Sequence, residues 1–223
     1  MDRRARARDL AAEYLAKGDP MGWFEHLYRE AEEGKSSIPW ADHRPNPNLV
    51  KFWKQHSISS SGKTALTIGC GLGDDAEQLS AWGFQTTAFD ISDSAIRTCR
   101  QRFPGSKVNY TTADLLNSPH QWIGRFDFVL ESYTLQVLPP HLRGRAIECM
   151  ADVVCERGHL LIITRGRESR DAEGQMPWPL TRSELDGVTN SGLQELLFAD
   201  FFDCELPPVR RFIGLYKKAR SKR

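Results

Sequence analysis

The pattern of hydrophobic residues changes once along the chain, close to residue 63. Before that point, apolar residues between Phe24 and Ala31 recur at the spacing of one helix face. They follow Asp19-Pro20, a pair typical of a helix start because aspartate caps and proline suits the first helical position. A loop rich in proline and a short helix around Leu49–Trp53 come next. The first sixty residues are therefore predicted to be helical.

After residue 63, short apolar runs alternate with helical stretches. The runs predict strands at Ala65–Ile68, Gln85–Asp90, Val108–Thr112, Phe126–Glu131 and His159–Thr164. The stretches between them predict helices at Asp75–Trp82, Asp93–Phe103 and Leu142–Val154. This alternation is typical of a parallel sheet that helices cover on both faces.

The C-terminal part has a different pattern. Leu193–Phe202 and Val209–Lys217 are predicted strands, and a turn containing Pro207-Pro208 joins them. Such a short connection requires antiparallel pairing. The predicted fold is therefore α/β: a Rossmann-like, doubly wound sheet, mostly parallel, ending in an antiparallel hairpin. Residues 1–62 are predicted to form an N-terminal helical lid on a domain at 63–223, with Ser57–Gly62 as a polar linker.

The charge balance argues against a nucleic-acid or membrane-surface protein. The 223 residues include 30 basic and 29 acidic side chains, for a net charge of +1. Basic residues concentrate at 3–8 and 217–223, where we interpret them as solvated tails; weak contact with an anion is the alternative. No apolar run is long enough for a membrane span. We expect a small-molecule substrate, no nucleic-acid partner, and a monomer or weak homodimer.

The cysteines and histidines do not indicate a metal or disulfide site. The five cysteines are odd in number and form no C-x-x-C pair, and the six histidines show no ligand spacing. Scattered thiols fit a reducing cytoplasm. We therefore expect a cytoplasmic protein without a structural metal.

A glycine-rich loop is the strongest local motif. The apolar run at 65–68 leads into Gly69-Cys70-Gly71-Leu72-Gly73, and Asp74 and Asp75 open the next helix. Glycine is needed where a chain turns tightly or where a ligand lies against its backbone. A dinucleotide fingerprint would carry glycine at position 74. The negative charge of Asp74 would repel a diphosphate and suits a positively charged ligand such as S-adenosylmethionine.

Acidic residues follow the next two predicted strands. Asp90 ends the second strand, where a carboxylate can accept hydrogen bonds from both ribose hydroxyls; capping of the helix near Ser92 is its alternative role. Asp114 follows the third strand, where it could accept a hydrogen bond from an adenine amino group.

These motifs resemble the class I S-adenosylmethionine-dependent methyltransferases from about Lys63 to Lys217. The glycine loop, Asp90, the Ala113-Asp114 pair and the strand beginning Phe126-Asp127 occur in the order of that family. Thr67 departs from it, because the family usually has an acid there. The resemblance implies S-adenosylmethionine as cofactor. The predicted cofactor-binding residues are Trp23, Trp40, Gly69, Cys70, Gly71, Gly73, Asp74, Asp90, Ile91, Ala113, Asp114, Leu115 and Glu131.

The N-terminal aromatic residues narrow the resemblance. Trp23, Ile38-Pro39-Trp40, Asn48-Leu49-Val50 and Phe52-Trp53 are similar, in type and order, to the thiopurine and thiol/halide methyltransferase group. In that group an N-terminal aromatic segment closes over the cofactor and substrate. For Trp53, packing in the core is the alternative to a role in that segment.

The methyl acceptor is expected at the ends of the fourth and fifth strands, because open α/β sheets bind ligands at the carboxyl ends of their strands. Tyr133 and Gln136 follow the fourth strand; Arg165 and the loop residue Trp178 follow the fifth. Arg165 could hold an anionic group on the acceptor or form a surface ion pair. Tyr133, Asp42 and His43 are the candidate catalytic residues.

Because none of these three residues is an obligatory base, the leading hypothesis is methylation of a thiol, selenol or halide, nucleophiles that need no strong base. Methylation of oxygen or nitrogen on a small metabolite is the first alternative. An inactive cofactor-binding protein and a nucleic-acid-binding protein that uses its basic ends are lesser alternatives.

Overall fold

A computed structural model describes residues 4–56 and 58–220 of the chain. Ser57 of the predicted linker and parts of both basic ends, residue 3 and residues 221–223, lie outside the described residues. The helices are α1 (Ala5–Ala16), α2 (Gly22–Glu32), α3 (Pro47–Gln55), α4 (Asp74–Ala81), α5 (Asp93–Arg102), α6 (Pro140–Val153), α7 (Arg182–Leu185) and α8 (Gly187–Asn190). The strands are β1 (Thr64–Ile68), β2 (Gln85–Asp90), β3 (Asn109–Thr112), β4 (Phe126–Ser132), β5 (Val154–Arg165), β6 (Leu193–Phe202) and β7 (Arg210–Lys218).

The seven strands form one sheet in the order β3-β2-β1-β4-β5-β7-β6. Strands β1 to β5 pair in parallel, and β7 pairs antiparallel with both β5 and β6. The predicted mostly parallel sheet with a C-terminal antiparallel hairpin is therefore confirmed. The strand order reverses between β1 and β4, and ligands of open α/β sheets bind in the crevice at such a reversal.

The two strands of the C-terminal hairpin differ in burial, and they occupy an inner and an edge position of the sheet. Most of β7 is buried, including Phe212, Ile213 and Tyr216, and this strand lies between β5 and β6. Strand β6 keeps exposed positions along its length, such as Leu196 and Phe202, and it forms the edge. A continuous apolar run suits a strand with neighbours on both sides, whereas an edge strand has one neighbour and tolerates exposed positions.

Two hydrophobic clusters cover the two faces of the sheet. One cluster joins α6, α7 and α8 to side chains such as Val129 and Ile162. The other joins α3 and α4 to side chains such as Leu130 and Ile163. Helix α3 contributes Leu49 to this second cluster, so by packing it belongs with the sheet although it lies within the predicted lid segment 1–62.

A third cluster holds the N-terminal helices over the carboxyl edge of the sheet. Leu10 of α1 and Trp23 and Leu27 of α2 pack together with Met176, which lies in the loop after β5. Ile91, directly after β2, packs against the same cluster. Helices α1 and α2 are therefore anchored on both loops that border the crevice.

Candidate active site

The three glycines of the loop after β1 have different structural roles. All three have positive φ angles, 56° at Gly69, 55° at Gly71 and 90° at Gly73, which glycine adopts without steric cost. A Cβ at Gly69 would lie 2.5 Å from the Thr134 hydroxyl, and one at Gly73 would lie 2.6 Å from the Tyr110 hydroxyl. Gly69 and Gly73 are thus packed against other side chains of the sheet domain, and Gly71 lies beneath the Tyr28 side chain of α2.

An aromatic roof lies across from Gly71. A Cβ at this position would lie 3.1 Å from the Tyr28 hydroxyl and 3.8 Å from Trp40 Nε1. Trp40 Nε1 donates a hydrogen bond of 2.9 Å to the Tyr28 hydroxyl, and the Trp23 ring meets Trp40 edge-on at 6.1 Å. Trp23 is 1% exposed, so its role here is to support Trp40.

Tyr28 was not predicted as a site residue, because its spacing marks it only as a helix-core position. Its side chain is buried, and burial together with the nearby Asp90 carboxylate raises the pKa of its phenol well above the ordinary value. Tyr28 therefore faces the crevice as a neutral hydroxyl.

Asp90 lies at the end of β2 with its carboxylate beside the glycine loop. Its Oδ2 accepts a hydrogen bond of 2.9 Å from Gly71 N, and its Oδ1 accepts one of 3.0 Å from Ser92 N. Burial raises the pKa of this carboxyl to about 6, although the backbone hydrogen bonds favour its charged form. The cap of α5 is the Ser92 hydroxyl, which accepts from Ala95 N, so the alternative capping role predicted for Asp90 belongs to Ser92.

Helix α2 is fastened to α5 beside Asp90. The Glu25 carboxylate accepts hydrogen bonds of 2.7 Å from the Ser92 hydroxyl and 2.8 Å from the Ser94 hydroxyl. It also accepts one of 3.1 Å from Ser94 N, at the positive end of the α5 dipole. Glu25 therefore fixes the roof to the strand end that carries Asp90.

The Asp74 carboxylate pairs with an arginine, and its contact with the cofactor stays a prediction. Arg102 of α5 donates two hydrogen bonds to its carboxylate, of 2.7 and 2.9 Å, and also donates to the Leu72 carbonyl. This bidentate pair neutralises the charge that was expected to face the ligand. The sequence did not indicate it, because Arg102 lies 28 residues away at the far end of α5.

The predicted adenine-binding residues follow β3. Asp114 caps the short 3-10 turn Leu115–Asn117: its Oδ1 accepts a hydrogen bond of 2.8 Å from Leu116 N, and its Oδ2 one of 2.7 Å from the Asn117 amide. Ala113 N donates to the Asp90 carbonyl at 3.0 Å, which places this loop beside Asp90. Both Asp114 oxygens thus have local partners, and its contact with adenine stays a prediction.

Two more predicted cofactor residues are buried at the strand ends. Cys70 has its thiol within the core, and its backbone N donates to the Phe89 carbonyl at 2.8 Å. Glu131 ends β4; its Oε1 accepts hydrogen bonds of 2.6 Å from Thr134 N and 2.9 Å from Leu135 N. Its Oε2 is buried and has no hydrogen-bond partner within residues 4–56 and 58–220, and burial raises the pKa of the carboxyl to about 7.

Tyr133 begins the acceptor side of the crevice. Its φ angle is 67°, rare for a residue with a side chain, and its backbone N donates to the Ile163 carbonyl at 3.0 Å. The Asn48 amide donates to the Tyr133 hydroxyl at 3.3 Å. Burial raises the pKa of the phenol, while the Arg211 guanidinium and the Asn48 and Asn46 amides oppose that rise.

The start of α3 is fixed to the ends of β4 and α4 by a residue that was not predicted. The Asn46 amide donates to the Ser132 hydroxyl at 2.9 Å, and Asn46 N donates to the Asp75 carboxylate at 2.6 Å. Burial raises the pKa of Asp75 to about 6. Asn46 also caps α3 ahead of Pro47, and this Asn-Pro pair is the one sequence signal that marks the segment.

Gln136 connects the two loops that border the acceptor side. Its Oε1 accepts a hydrogen bond of 2.8 Å from Arg165 N, and its carbonyl accepts one of 2.7 Å from Trp178 N. Trp178 packs against the N-terminal cluster of α1 and α2. Gln136 is 5% exposed, so these contacts position Arg165 and Trp178 rather than present its own amide to a ligand.

Asp42 and His43 lie in the exposed loop between Trp40 and α3. His43 lines a cavity of about 820 Å³ that Leu72 and the outer side of α5 also border. Within the described part of the chain, neither side chain hydrogen-bonds or pairs with Tyr133. The structure therefore does not bring the three candidate catalytic residues together.

Within 4–56 and 58–220, no helix is long and apolar enough to cross a membrane. In the same ranges, no group of three or more histidine, cysteine, aspartate or glutamate side chains is placed to hold a metal ion.

Comparison with known proteins adds a family and a fold. The model of the thiopurine S-methyltransferase family matches residues 31–205. Curated relatives include a ubiquinone biosynthesis O-methyltransferase of Aromatoleum aromaticum, 33% identical over 99 residues, which are 44% of this chain and 42% of that protein. The protein with the same name in Dechloromonas aromatica is 27% identical over 130 residues, 57% and 55% of the two chains. The chain thus spans about half the length of these relatives.

Solved structures show the same fold at low sequence identity. A structure from work on the conversion of a disulfide bond into a thioacetal group during echinomycin biosynthesis has a TM-score of 0.72 at 19% identity, covering 89% of this chain and 93% of that one. The N-methyltransferase NodS of Bradyrhizobium japonicum, solved with S-adenosyl-L-homocysteine, has a TM-score of 0.70 at 18% identity, covering 88% and 100%. The Rossmann-like fold predicted from the sequence is thus confirmed.

Proposed function

The chain belongs to the thiopurine S-methyltransferase family, a family of S-adenosylmethionine-dependent methyltransferases, and we propose that it transfers a methyl group to a small-molecule acceptor. Family membership confirms the resemblance, and with it the class of enzyme and cofactor, predicted from the sequence. The acceptor and the roles of individual residues are proposals.

The observation that carries the proposal is the position of Asp90 beside Gly71, beneath the Tyr28–Trp40 pair. A buried carboxylate at the end of β2 would accept hydrogen bonds from the two ribose hydroxyls. A Cβ at Gly71 would lie 3.1 Å from the Tyr28 hydroxyl, so a side chain at this position would crowd the pair that covers the proposed cofactor site. The buried Glu131 Oε2 lacks a partner, which suits a ligand that donates a hydrogen bond at the end of β4. These buried carboxylate acceptors therefore fit a nucleoside with hydroxyl donors and a cationic end.

When bound, S-adenosylmethionine supplies a methyl carbon that an acceptor lone pair attacks, while the electrons of the broken bond return to the sulfonium sulfur. The protein has to align the acceptor with that carbon and exclude water. Tyr28, Trp40 and Trp23, which contact one another beside Gly71, would exclude water from above. The Tyr133 hydroxyl, held by Asn48, would orient the acceptor.

The acceptor that fits best is a soft nucleophile such as a thiol, selenol or halide. Burial raises the pKa of the Tyr133 phenol, so at neutral pH it is a hydrogen-bond donor and not a base. A thiolate forms without an enzymic base and tolerates an aromatic pocket. The second candidate is oxygen methylation, because the curated relatives are named O-methyltransferases. The remaining proposals from the sequence are lid closure by residues 1–62, a cytoplasmic location, a monomer or weak homodimer, and no nucleic-acid partner.

A screen with methyl-labelled S-adenosylmethionine tests the proposal. Thiols, halides, phenols and amines are supplied in turn, and both the methylated product and S-adenosylhomocysteine are measured. We expect equal amounts of the two products with at least one thiol or halide. Product from phenols alone would assign the oxygen alternative. No transfer to any acceptor, despite tight binding of S-adenosylhomocysteine, would support an inactive cofactor-binding protein.

A further inference from the structure

Arg165, the last residue of β5, carries a half-buried guanidinium at the acceptor side of the crevice. Its backbone N is held by the Gln136 amide at 2.8 Å, which fixes the place from which the side chain extends. Among residues 4–56 and 58–220, no carboxylate forms an ion pair with Arg165, and no side chain or carbonyl accepts a hydrogen bond from its guanidinium. A partly desolvated charge without a counterion is costly, so this position calls for an anion.

A second arginine lies beside Arg165 and adds to the positive charge at this position. Arg165 lies directly opposite Arg211 across the antiparallel β5–β7 pair, an arrangement in which like charges destabilise each other. Arg211 is compensated: its Nε donates to Asp203 at 2.6 Å, and its Nη2 donates to Glu205 at 2.5 Å. Among the described residues, Arg165 has no such partner.

Four charged or titratable side chains lie close enough to Arg165 to change the pKa of its guanidinium. Burial lowers the pKa of its guanidinium, and Arg4 and Arg211 lower it further, while Glu205 and Tyr133 act in the opposite direction. An arginine stays protonated under these conditions, so the net effect is local positive potential and not loss of charge. The Glu205 carboxylate forms an ion pair with Arg211, and Tyr133 is a neutral phenol, so neither is a counterion for Arg165.

The unpaired guanidinium lies near Tyr133, the residue proposed to orient the acceptor. The Arg211 guanidinium stacks over the Tyr133 ring at 4.9 Å. Tyr133 N donates a hydrogen bond to the carbonyl of Ile163, which lies two residues before Arg165. Side chains at positions 163 and 165 of a strand point to the same face, and Ile163 belongs to the hydrophobic cluster against which Tyr133 packs. Tyr133, Arg165 and Arg211 thus border one space at the ends of β4, β5 and β7.

We propose that the methyl acceptor carries a carboxylate, and that this carboxylate pairs with Arg165 while the nucleophilic atom lies toward Gly71. A single planar guanidinium matches a carboxylate through two parallel hydrogen bonds. The anion also removes the repulsion between Arg165 and Arg211. The inference rests on the proposed methyl transfer for its substrate and extends it by naming the charge of the acceptor.

The test compares acceptors that differ only in this charge. Turnover of 4-mercaptobenzoate is measured against its methyl ester, and 4-hydroxybenzoate against its methyl ester, at a pH where both thiols are ionised. The proteins are the wild type, Arg165→Ala, Arg165→Lys and Arg125→Ala. Arg125 is an exposed arginine that precedes β4 at the opposite edge of the sheet, so its removal is the matched control.

We expect the wild type to prefer the acid over the ester. Arg165→Ala should lower kcat/KM for the acid by roughly ten- to a hundredfold, the size of a charge-assisted hydrogen bond, and leave the ester unchanged. Lysine should restore part of the loss, because it keeps the charge but not the planar fork. Affinity for S-adenosylhomocysteine should be the same in all four proteins. Equal preference for acid and ester in the wild type, or an equal loss for both in Arg165→Ala, would overturn the proposal.

A binding measurement separates this inference from the proposed function. Calorimetry with protein saturated with S-adenosylhomocysteine compares 4-(methylthio)benzoate with its methyl ester and requires no turnover. Tighter binding of the acid that disappears in Arg165→Ala supports the carboxylate site even if no acceptor in the screen is methylated. Equal binding of acid and ester contradicts the site even if thiols are methylated rapidly.

Discussion

The carboxyl edge of the sheet has two halves that are built differently. At the ends of β1, β2 and β3, acidic side chains are held mainly by backbone amides close by: Asp90 by Ser92 N and Gly71 N, and Asp114 by Leu116 N. At the ends of β4, β5 and β7, side chains are held by distant segments. Tyr133 is held by Asn48, 85 residues earlier, and Arg165 by Gln136, 29 residues earlier.

The two halves also differ in charge. The first half presents the Asp90 carboxylate, and the second half presents the Arg165 guanidinium. Acidic groups and amides suit a ligand with hydroxyls and a cationic sulfonium. An unpaired guanidinium suits an anionic partner. We propose that the cofactor and the acceptor occupy separate halves of one crevice, each recognised by charge of the opposite sign.

The largest expected effect is in the cofactor half, at Gly71. Gly71→Ala places a Cβ 3.1 Å from the Tyr28 hydroxyl, so Tyr28 and the glycine loop must move apart at the proposed cofactor site. We expect affinity for S-adenosylhomocysteine to fall about a hundredfold, or ~2.7 kcal/mol. The control is Gly124→Ala, which has a similar φ of 62° but open space around its Cβ. If calorimetry gives both variants wild-type affinity, Gly71 does not border the cofactor.

The next effect is at Asp90. Asp90→Ala should weaken S-adenosylhomocysteine by roughly 1.5–3 kcal/mol, the scale of hydrogen bonds to a charged group. Asp152→Ala removes an exposed acid at the end of α6 and serves as the control. An unchanged dissociation constant in Asp90→Ala would remove its assignment to the ribose.

The raised pKa of Asp90 gives a pH dependence of about tenfold. Ribose hydroxyls donate hydrogen bonds and therefore prefer the ionised carboxylate, whereas in the free protein this carboxyl holds its proton up to a pH of about 6. Ligand binding must then release that proton at low pH. Affinity for S-adenosylhomocysteine should fall by about tenfold between pH 7 and pH 5.

Affinity falls with falling pH because burial raises the pKa of the Asp90 carboxyl in the free protein. As the pH falls, this carboxyl takes up a proton, and the protonated, ligand-free protein is favoured. Asp90→Asn cannot titrate, so its affinity should vary much less over the same range. A wild-type affinity that rises toward pH 5 would contradict the assignment of the carboxylate form.

The smallest effect is expected in the acceptor half, at Tyr133. Tyr133→Phe removes the hydroxyl that Asn48 orients, and we expect turnover to fall by less than about tenfold. The measurement is kcat with a thiol acceptor at saturating cofactor. A loss of a thousandfold or more would exceed one orienting hydrogen bond and would identify Tyr133 as an acid-base residue.

The sequence marks the strand ends of the proposed cofactor half more readily than the contacts of the acceptor half. Asp90 and Asp114 accept hydrogen bonds from backbone N–H groups two residues later, so local pattern indicates their positions, whereas the contact of Asp90 with Gly71 spans 19 residues. The pairing of Asp74 with Arg102 joins the two ends of a strand-helix unit, and local pattern does not indicate it. Tyr28 and Asn48 reach the site only through the packing of α2 and α3.

The strands show the same limit. Strands β2 and β6 have the predicted bounds, because their ends coincide with a change in polarity. Strand β5 begins five residues earlier than the predicted start at His159. Its first part, Val154–Gly158, is polar, contains Arg157 with a φ angle of 64°, and pairs with β4 across a register shift. Such an irregular segment lacks the apolar alternation from which strands are predicted.

The central claim is that cofactor and acceptor are recognised in separate halves, and crossed kinetics of two variants test it most directly. In Asp90→Asn and Arg165→Ala, the KM for S-adenosylmethionine and the KM for a carboxylate-bearing acceptor are measured in one experiment. We predict that Asp90→Asn raises the first constant by about tenfold or more and leaves the second within about twofold, and that Arg165→Ala does the reverse. If both substitutions raise the same constant, the crevice is not divided in this way.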